Sequence, residues 1–274
     1  MRWLGLTSLL FLASLLSAFP TAAEPVRIGD LKDGLLLGPH LRTNGGFIDK
    51  YMGDGIMALF EKREDAITAA LRLQSRNARL NRVLAPPLLQ ERGLGGEARK
   101  GLISPINVGI GIHTGHLMLG TIGEPQRMDG TVISDAVNLA SRVESLTKQY
   151  GVNLLVTKET LAGIQLGTPE FPWIRRFIDR IAVKGKSEPA TIYEVIALKN
   201  GKATKYSKNW LLAWNEAMRL YYTREFAAAL KVMHRLLKKT PGDQTLELFI
   251  RRSEEYSVNP PEKNWNGVAV ALRK

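Results

Sequence analysis

The sequence contains no cysteine among its 274 residues. It therefore forms no disulfide and offers no thiolate to a metal ion, which fits a reducing compartment. Charge is missing at one end, because no charged residue lies between Trp3 and Ala23 and no aspartate precedes Asp30. The remaining composition, 45% hydrophobic and 23% charged, is ordinary for a globular protein. The length predicts one sizeable domain and a smaller one.

The uncharged N-terminal stretch has the layout of a secretory signal peptide. Arg2 precedes an apolar run from Leu4 to Phe19, and Thr21-Ala22-Ala23 offers small residues for cleavage. A short transmembrane anchor is the alternative interpretation. We predict a signal peptide or membrane anchor at residues 1–23 and a linker at residues 24–43. Both interpretations place the residues that follow outside the cytoplasm.

The net charge of +12 is spread along the chain. Its densest part is Arg72, Arg76, Arg79 and Arg82, whose spacing places four arginines along one helical face. Such a face can bind nucleic acid, but a solvated basic face is the commoner outcome. We therefore predict no nucleic-acid partner, and the positive balance favours a polyanionic nucleotide substrate.

Residues 44–60, NGGFIDKYMGDGIMALF, predict a β-hairpin. Two apolar, β-prone runs, residues 47–52 and 56–60, flank Gly53-Asp54-Gly55, and Asp-Gly between such runs is a strong turn signal. Asp54 lies at the tip between two glycines, where its carboxylate is accessible to a cation. Strict alternation places Lys50 on the same side as Ile48 and Met52.

Further periodic segments predict a helix at residues 64–84, a strand at 106–112, a turn at Gly115 and a return strand at 117–122. His113 and His116 are expected to be turn residues, because no acidic partner lies nearby for a metal pair. Ser134 is a good N-cap for a helix at 135–150. Short elements follow at 154–157 and 158–164, and then a hairpin of residues 177–183 and 191–197.

Two polar groups stand out in this part of the chain. Asn138 and Arg142 are spaced i, i+4, so they project from one face of the predicted helix. Lys184-Gly185-Lys186 follows the strand at 177–183, and lysines around a glycine suit phosphate contact because the backbone can approach closely. Taken alone, the Asn138–Arg142 pair favours a solvated helix face, and the two lysines favour an ordinary polar turn.

Four blocks resemble the class III adenylate and guanylate cyclase catalytic domain. FIDKYMGDGIMALF resembles the family's signature hairpin, and VGIGIHTGHLMLGTIG, VISDAVNLASRVESL and DRIAVKGKSEPATIYEV follow in the family's order. The resemblance implies an α/β (α+β) fold of ferredoxin-like βαββαβ type, with helices on one face of a mainly antiparallel sheet. We predict that residues 44–198 form this domain.

The resemblance implies an adenylate cyclase that converts ATP to 3′,5′-cyclic AMP and pyrophosphate at a homodimer interface. Two divalent cations, Mg²⁺ or Mn²⁺, serve the complete family site. Carried over by position, Asp54 binds metal, Asn138 orients the ribose, and Arg142 stabilises charge developing on the transferring phosphorus.

The remaining positions of the family site concern the phosphates and the base. The resemblance implies that Lys184 or Lys186 contacts the β- and γ-phosphates, with Lys184 favoured. Lys50 and Thr131 fall where the family reads the purine, and this pair resembles its adenine-selective subset. Lysine can donate to adenine N1, where guanine carries its own hydrogen, so ATP is favoured over GTP.

One part of the family pattern has no match. Its first strand carries a second metal-binding aspartate in a motif like F-x-D-I-x-x-F-T, and the apolar N-terminal stretch lies where that strand belongs. We therefore expect the first strand to be missing and its neighbour to expose an edge. With Asp54 alone, we expect weak or no activity, and the alternative function is a non-catalytic module that dimerises or binds nucleotide.

The location implied by the family conflicts with the leader, because a cyclase domain is expected in the cytoplasm, membrane-associated in the full-length form. Residues 24–41, EPVRIGDLKDGLLLGPHL, resemble the opening of an extracellular sensing domain of bacterial seven-transmembrane receptors. An internally shortened receptor explains both ends of the chain.

The C-terminal residues 199–274 change to an all-helical pattern. Helices are expected at 211–222, at 225–239 and from Pro241 to Tyr256, and FAAALKVMHRLLKKTPGD resembles part of a tetratricopeptide repeat. A single repeat cannot bury its apolar face alone. We therefore expect this helical hairpin to pack on the cyclase domain or on a protein partner.

Overall fold

The structure, a computed structural model, divides the chain into two compact units, Met1–Glu144 and Ser145–Lys274. Each unit is described separately, with strands and helices numbered along the chain. The residues described are 2–13, 37–52, 55–84, 106–124, 127–182, 188–199, 202–203, 205–262 and 264–268.

An antiparallel sheet forms the centre of the first unit. Its described strands are β1 (Arg2–Ala13), β2 (Gly46–Met52), β3 (Gly55–Phe60), β4 (Gly109–Glu124) and β5 (Arg127–Ile133). The order across the sheet is β2-β3-β1-β4, and β5 pairs with β4. Neighbouring strands run antiparallel.

Three helices accompany these strands. They are α1 (Leu37–Thr43), α2 (Arg63–Leu84) and α3 (Asp135–Tyr150). Along the chain, β1, α1, β2, β3, α2 and β4 follow the βαββαβ order, and β1 lies between β3 and β4. This arrangement confirms the predicted ferredoxin-like fold.

The expectation of a missing first strand is wrong in this structure, because Arg2–Ala13 fills that position. On one side of β1, Ser8 lies opposite Phe60 and Leu12 opposite Ile56; on the other, Leu9 lies opposite His113. An unfilled position would leave two rows of backbone groups without partners. An uninterrupted apolar run is typical of a strand between two others as well as of a leader, so the predicted signal peptide or anchor is not supported.

The β2–β3 hairpin was predicted correctly, with one difference in register. Ile48 lies opposite Ala58 and Lys50 opposite Met57, so Asp49 is an extra residue in β2. Such a β-bulge breaks the alternation of side chains. Lys50 therefore shares a face with Met52, as predicted, but not with Ile48.

Helix α2 confirms the prediction for residues 64–84. Its inner face is apolar and buried, and includes Ala66, Ile67, Ala70 and Leu73. The four arginines of the basic face, Arg72, Arg76, Arg79 and Arg82, are all exposed, so this face is accessible to solvent.

Strand β4 corrects the prediction of a turn at Gly115. The strand continues through this residue, which lies opposite Thr7 of β1. Glycine favours a turn when it takes a positive φ, and Gly115 is not among the residues with positive φ. His113 and His116 are consequently strand residues, and His113 is buried.

The second unit combines strands and helices. Its described strands are β6 (Leu154–Thr157), β7 (Trp173–Ile181), β8 (Ala190–Lys199) and the short β9 (Lys202–Ala203). Strand β8 pairs with β6, β7 and β9. The helices are α4 (Lys158–Leu161), α5 (Lys208–Tyr222), α6 (Phe226–Lys239) and α7 (Gln244–Val258). The last three confirm the predicted helical tail.

The helical tail packs on β7 through two buried charges that the sequence analysis did not single out. Arg176 binds both carboxylate oxygens of Asp243, at 2.9 and 3.0 Å. Asp179 accepts hydrogen bonds from the hydroxyl of Tyr222 and from Arg252, each at 2.7 Å. The intramolecular packing expected for the tail is therefore confirmed within this unit.

The membrane-related predictions concern residues that the structure describes only in part. Within the described ranges, no helix combines the length and the apolarity needed to cross a bilayer. Most of the receptor-like segment 24–41 lies outside those ranges, and only its last residues form the start of α1.

Candidate active site

Helix α3 presents the two polar residues that the sequence analysis put at the centre of the site. It begins after Ser134, whose hydroxyl accepts a hydrogen bond from the amide of Ala136 at 3.0 Å. The same hydroxyl donates to the carbonyl of His116 at 2.5 Å. The predicted N-cap therefore also ties the start of α3 to β4.

A close backbone contact fixes α3 against β4. A Cβ atom built on Gly111 would lie 2.3 Å from the amide nitrogen of Glu144 and 2.6 Å from the carbonyl oxygen of Ala140. Only glycine allows strand and helix to approach so closely. Met57, Leu59, Leu117, Ala136 and Ala140 form a buried cluster beside this contact, so one side of α3 is held firmly in the core.

Asn138 and Arg142 lie away from this buried side. Asn138 is exposed and Arg142 is half-buried. Neither side chain forms a hydrogen bond or an ion pair with another residue in the described part of the chain. A carboxamide and a guanidinium, one helical turn apart, are therefore available to a ligand or a second chain.

Lys50 is half-buried on β2. Its ammonium nitrogen lies 3.3 Å from Oδ2 of Asp49, the extra residue of the bulge. The Asp49 side chain is 7% exposed, against 38% for Lys50. The carboxylate therefore lies next to the lysine head group, although Oδ2 of Asp49 forms no hydrogen bond within the described part of the chain. Sequence reasoning missed Asp49, because only the bulge brings neighbouring strand residues together in this way.

The other predicted site residues are only partly located. Thr131 lies in β5, opposite Gly120 of β4. Asp54, Lys184 and Lys186 lie outside the described residues, so their roles stay predictions. The structure thus positions Asn138 and Arg142 together, and it defines the strands that carry Lys50 and Thr131.

The described residues do not by themselves fit the two-ion centre of the complete family site. Among the described residues, no group of three histidine or acidic side chains converges on one point. Strand β1 fills the position of the family's first strand, but its sequence, RWLGLTSLLFLA, contains no acidic residue. Asp54 is the remaining candidate ligand, and one carboxylate can hold a Mg²⁺ ion that also binds substrate phosphates.

We predict that Gly111→Ala impairs both folding and the candidate site. The new methyl group forces α3 away from β4, an overpacking that costs about 1–3 kcal/mol. A displacement of about 1 Å can lower a catalytic rate about 100-fold. Urea unfolding and cyclic-nucleotide assays measure the two effects.

His116→Ala is the matched control for Gly111→Ala, because His116 is an exposed residue of the same strand. We expect it to change the free energy of unfolding by about 0.5 kcal/mol or less. Equal effects of the two substitutions would contradict the role given to the Gly111 contact.

Comparison with protein families supports the assignment made from the sequence. The family model for the adenylate and guanylate cyclase catalytic domain matches residues 50–197, more than half of the chain. An adenylate cyclase of Anabaena cylindrica is 42% identical over 180 residues, which cover 64% of this chain and 34% of that protein. An adenylate cyclase of Dictyostelium discoideum, described as terminal-differentiation specific, is 33% identical over 241 residues, which cover 85% of this chain and 11% of that protein.

A solved structure is similar in fold. A bacterial light-regulated adenylyl cyclase superposes with a TM-score of 0.53 at 24% identity, over 75% of this chain and 55% of that one. The chain spans about one third or less of the length of the two curated relatives it matches.

Proposed function

The chain belongs to the adenylate and guanylate cyclase catalytic domain family, and from this premise we propose that it converts ATP to 3′,5′-cyclic AMP and pyrophosphate in intracellular signalling. The observation that carries the proposal is the pair on α3. Asn138 and Arg142 lie on the side of the helix away from the core, in the sequence block that resembles the family's catalytic helix.

The residues on α3 supply binding and charge stabilisation. In the reaction, the ribose 3′-oxygen attacks the α-phosphorus and pyrophosphate leaves. The Asn138 carboxamide orients the ribose by hydrogen bonding, which aligns the attacking oxygen. The Arg142 guanidinium donates to the phosphoryl oxygens, where negative charge grows in the transition state. Lys184, or Lys186 in its place, binds the β- and γ-phosphates.

We propose that Asp54 contributes a carboxylate to a divalent cation, Mg²⁺ or Mn²⁺, that ATP brings with its phosphates. Such an ion neutralises phosphate charge when it is bound. Because β1 provides no second carboxylate, we expect the ion to be held weakly and the turnover to be slow.

A homodimer is the proposed active unit. Strand β2 lies at an edge of its sheet and exposes Phe47 (63%), Tyr51 (53%) and Met52 (39%). An edge strand with exposed large apolar side chains is a natural interface for a second chain. The solvent-facing position of Asn138 and Arg142 suits a site that the second chain completes.

We predict that Lys50→Glu shifts the nucleotide preference from ATP toward GTP. The Lys50 ammonium can donate to adenine N1, whereas a carboxylate there accepts from the N1–H of guanine. Exchanging one hydrogen bond to a charged group changes the ATP-to-GTP ratio of kcat/KM by at least about tenfold. Parallel assays of cyclic AMP and cyclic GMP formation measure this ratio and test the proposed function.

Lys62→Glu is the matched control for Lys50→Glu. Lys62 is an exposed lysine just after β3, so its replacement makes the same change in net charge away from the proposed base contact. A shift of the ratio that is equal in both variants would contradict the assignment of Lys50.

A non-catalytic, nucleotide-binding module is the second candidate, favoured by the lack of an acidic residue in β1. We predict that Leu12→Asp separates the two candidates. Position 12 lies opposite Ile56, two residues from Asp54 in the chain. A carboxylate there is expected to raise the Mn²⁺-dependent rate about tenfold or more, since even outer-shell metal contacts are worth about 10- to 100-fold.

Phe11→Asp is the control, because neighbouring positions of a strand face opposite sides of the sheet. It introduces the same charge at a position that lies opposite Met57 instead of Ile56. Absence of product from the parent chain and from Leu12→Asp, in a variant that retains the folded spectrum, favours the non-catalytic module.

A further inference from the structure

A pocket opens beside β7 in the second unit, and its described lining contains none of the predicted active-site residues. It is lined by residues of β7, β8 and α5 and has a volume of about 600 Å³. This volume is in the range of small-molecule sites. The composition of its wall indicates what it can bind.

Three aromatic rings form a continuous wall of the pocket. The ring of Phe177 lies between Tyr193 and Tyr222, with centroid distances of 5.8 and 5.6 Å and nearly perpendicular planes. Edge-to-face contacts of this kind are favourable and hold the rings in a defined arrangement. Trp265 already stacks on Tyr222, with centroids 6.3 Å apart and planes at 13°, so a planar ligand ring would pack against Phe177 and Tyr193.

A cation lies at each end of this aromatic wall. The guanidinium of Arg175 is 5.0 Å from the ring centroid of Tyr193, and that of Arg180 is 4.7 Å from the ring of Tyr222. Stacking on a tyrosine leaves the N–H groups of an arginine free to donate. In the described part of the chain, no carboxylate pairs with either guanidinium.

The third arginine of the pocket differs from these two. Arg219 forms two hydrogen bonds with Glu216, at 2.8 and 2.9 Å, so its charge is already compensated. Among the residues that the structure describes, no acidic residue lines the pocket. Arg175 and Arg180 therefore give it a net attraction for anions.

The wall is preorganised by hydrogen bonds on its far side. The hydroxyl of Tyr222 donates to Oδ1 of the buried Asp179 at 2.7 Å. The backbone carbonyl of Phe177 accepts from Nε1 of Trp214, also at 2.7 Å. Groups fixed in this way lose little conformational entropy when a ligand binds.

We propose that this pocket binds a small anion that carries a planar ring, such as a nucleoside monophosphate. The ring packs against Phe177 and Tyr193, and the anionic group pairs with Arg175 or Arg180. A fully apolar ligand leaves the two guanidinium groups without partners, and a simple inorganic anion makes no use of the rings. None of the residues that line the pocket is one of the proposed catalytic residues, and the proposal does not depend on cyclase activity.

The experiment is a titration of the full chain with adenosine 5′-monophosphate, followed by NMR of methionine methyl groups labelled with ¹³C. Met218 lines the pocket, whereas Met52 and Met57 lie on the hairpin of the candidate active site. We expect a saturable shift of the Met218 methyl signal. Replacing both Arg175 and Arg180 by alanine should weaken this binding about tenfold or more.

The controls separate this site from the active site and from unspecific anion binding. Arg142→Ala should leave the Met218 response intact, and the buried Met233 of α6 should not respond. Inorganic phosphate and adenosine, each alone, should shift Met218 less at equal concentration. The proposal is overturned if Met218 does not respond, if the double variant responds like the parent chain, or if phosphate alone acts as well as the nucleotide.

Discussion

Replacing Arg142 with alanine is expected to lower cyclic AMP formation about 100- to 1,000-fold, the loss typical of removing one donor from a transition state. The guanidinium is half-buried on α3 and makes no ion pair with another described residue, so the folded chain does not need it as a partner. We therefore expect the free energy of unfolding to change by about 0.5 kcal/mol or less. Mass-spectrometric detection of cyclic AMP, with ATP and Mn²⁺, measures the rate.

Lys148→Ala is the matched control for Arg142→Ala. Lys148 is an exposed cation on the same helix, six residues further along, so the change in net charge is the same. A similar loss of activity in both variants would mean that α3 acts through its overall charge. That result would contradict the catalytic role of Arg142.

Replacing Arg176 with methionine is expected to destabilise the chain by roughly 3–5 kcal/mol, because breaking a buried ion pair leaves its partner uncompensated. The Arg176 side chain is fully buried, and its guanidinium lies 4.3 Å from the ring centroid of Trp214. It also donates to the hydroxyl of Tyr206 at 2.6 Å, besides the two bonds to Asp243. Urea unfolding at neutral pH measures the loss.

The neighbouring Arg175 provides the control, because Arg175→Met makes the same substitution at an exposed position of the same strand. We expect it to cost about 0.5 kcal/mol or less. Equal costs in the two variants would contradict the account of the buried pair.

Lowering the pH should weaken the ion pair between Arg176 and Asp243. Burial alone would raise the pKa of Asp243, but the attraction of Arg176 and hydrogen bonds from Arg176, Tyr206 and Leu246 lower it below the ordinary value of 3.8. A lowered pKa in the folded state contributes stability above pH 3.8, which is lost as the pH falls through the folded value. Arg176→Met should reduce this loss of stability at low pH, since it removes the main attraction on the Asp243 carboxylate.

Much of the candidate site could be predicted because its elements follow local rules. The α3 helix has a clear apolar period and a serine N-cap, and its observed bounds equal those predicted. The β2–β3 hairpin follows from two apolar runs around Asp-Gly. The face shared by Asn138 and Arg142 then needs only the helical repeat.

The first strand could not be predicted, because an apolar run has several possible structures. The composition of Arg2–Ala13 is typical of a leader, whereas its pairing with β3 and β4 depends on residues far away in the chain. The turn expected at Gly115 failed for a similar reason. Glycine permits a turn, but continued pairing with β1 kept this residue in an extended strand.

The buried charges of β7 were equally hidden from the sequence. In RRFIDRI, Arg175 and Arg176 look alike, yet one is exposed and the other fully buried. A bulge between Phe177 and Asp179 alters the alternation, and the partner of Arg176 lies 67 residues away. Long-range ion pairs of this kind leave no local signal beyond a charge within an apolar strand.

Helix α3 links the fold to the proposed chemistry. The close Gly111 contact fixes one side of the helix, and the other side presents Asn138 and Arg142 to solvent. The strand that completes the sheet carries no acidic residue, so the fold is present while part of the expected metal site is not. Slow, cation-dependent turnover is the consequence that we expect.

The most direct test is cyclic AMP formation by the full chain with ATP and Mn²⁺, compared with Asn138→Ala. The full chain is needed because β1 lies between β3 and β4. We predict slow but measurable cyclic AMP formation that Asn138→Ala abolishes. No product from the parent chain and none from Leu12→Asp would contradict the proposed activity, and the chain would then be a non-catalytic member of the family.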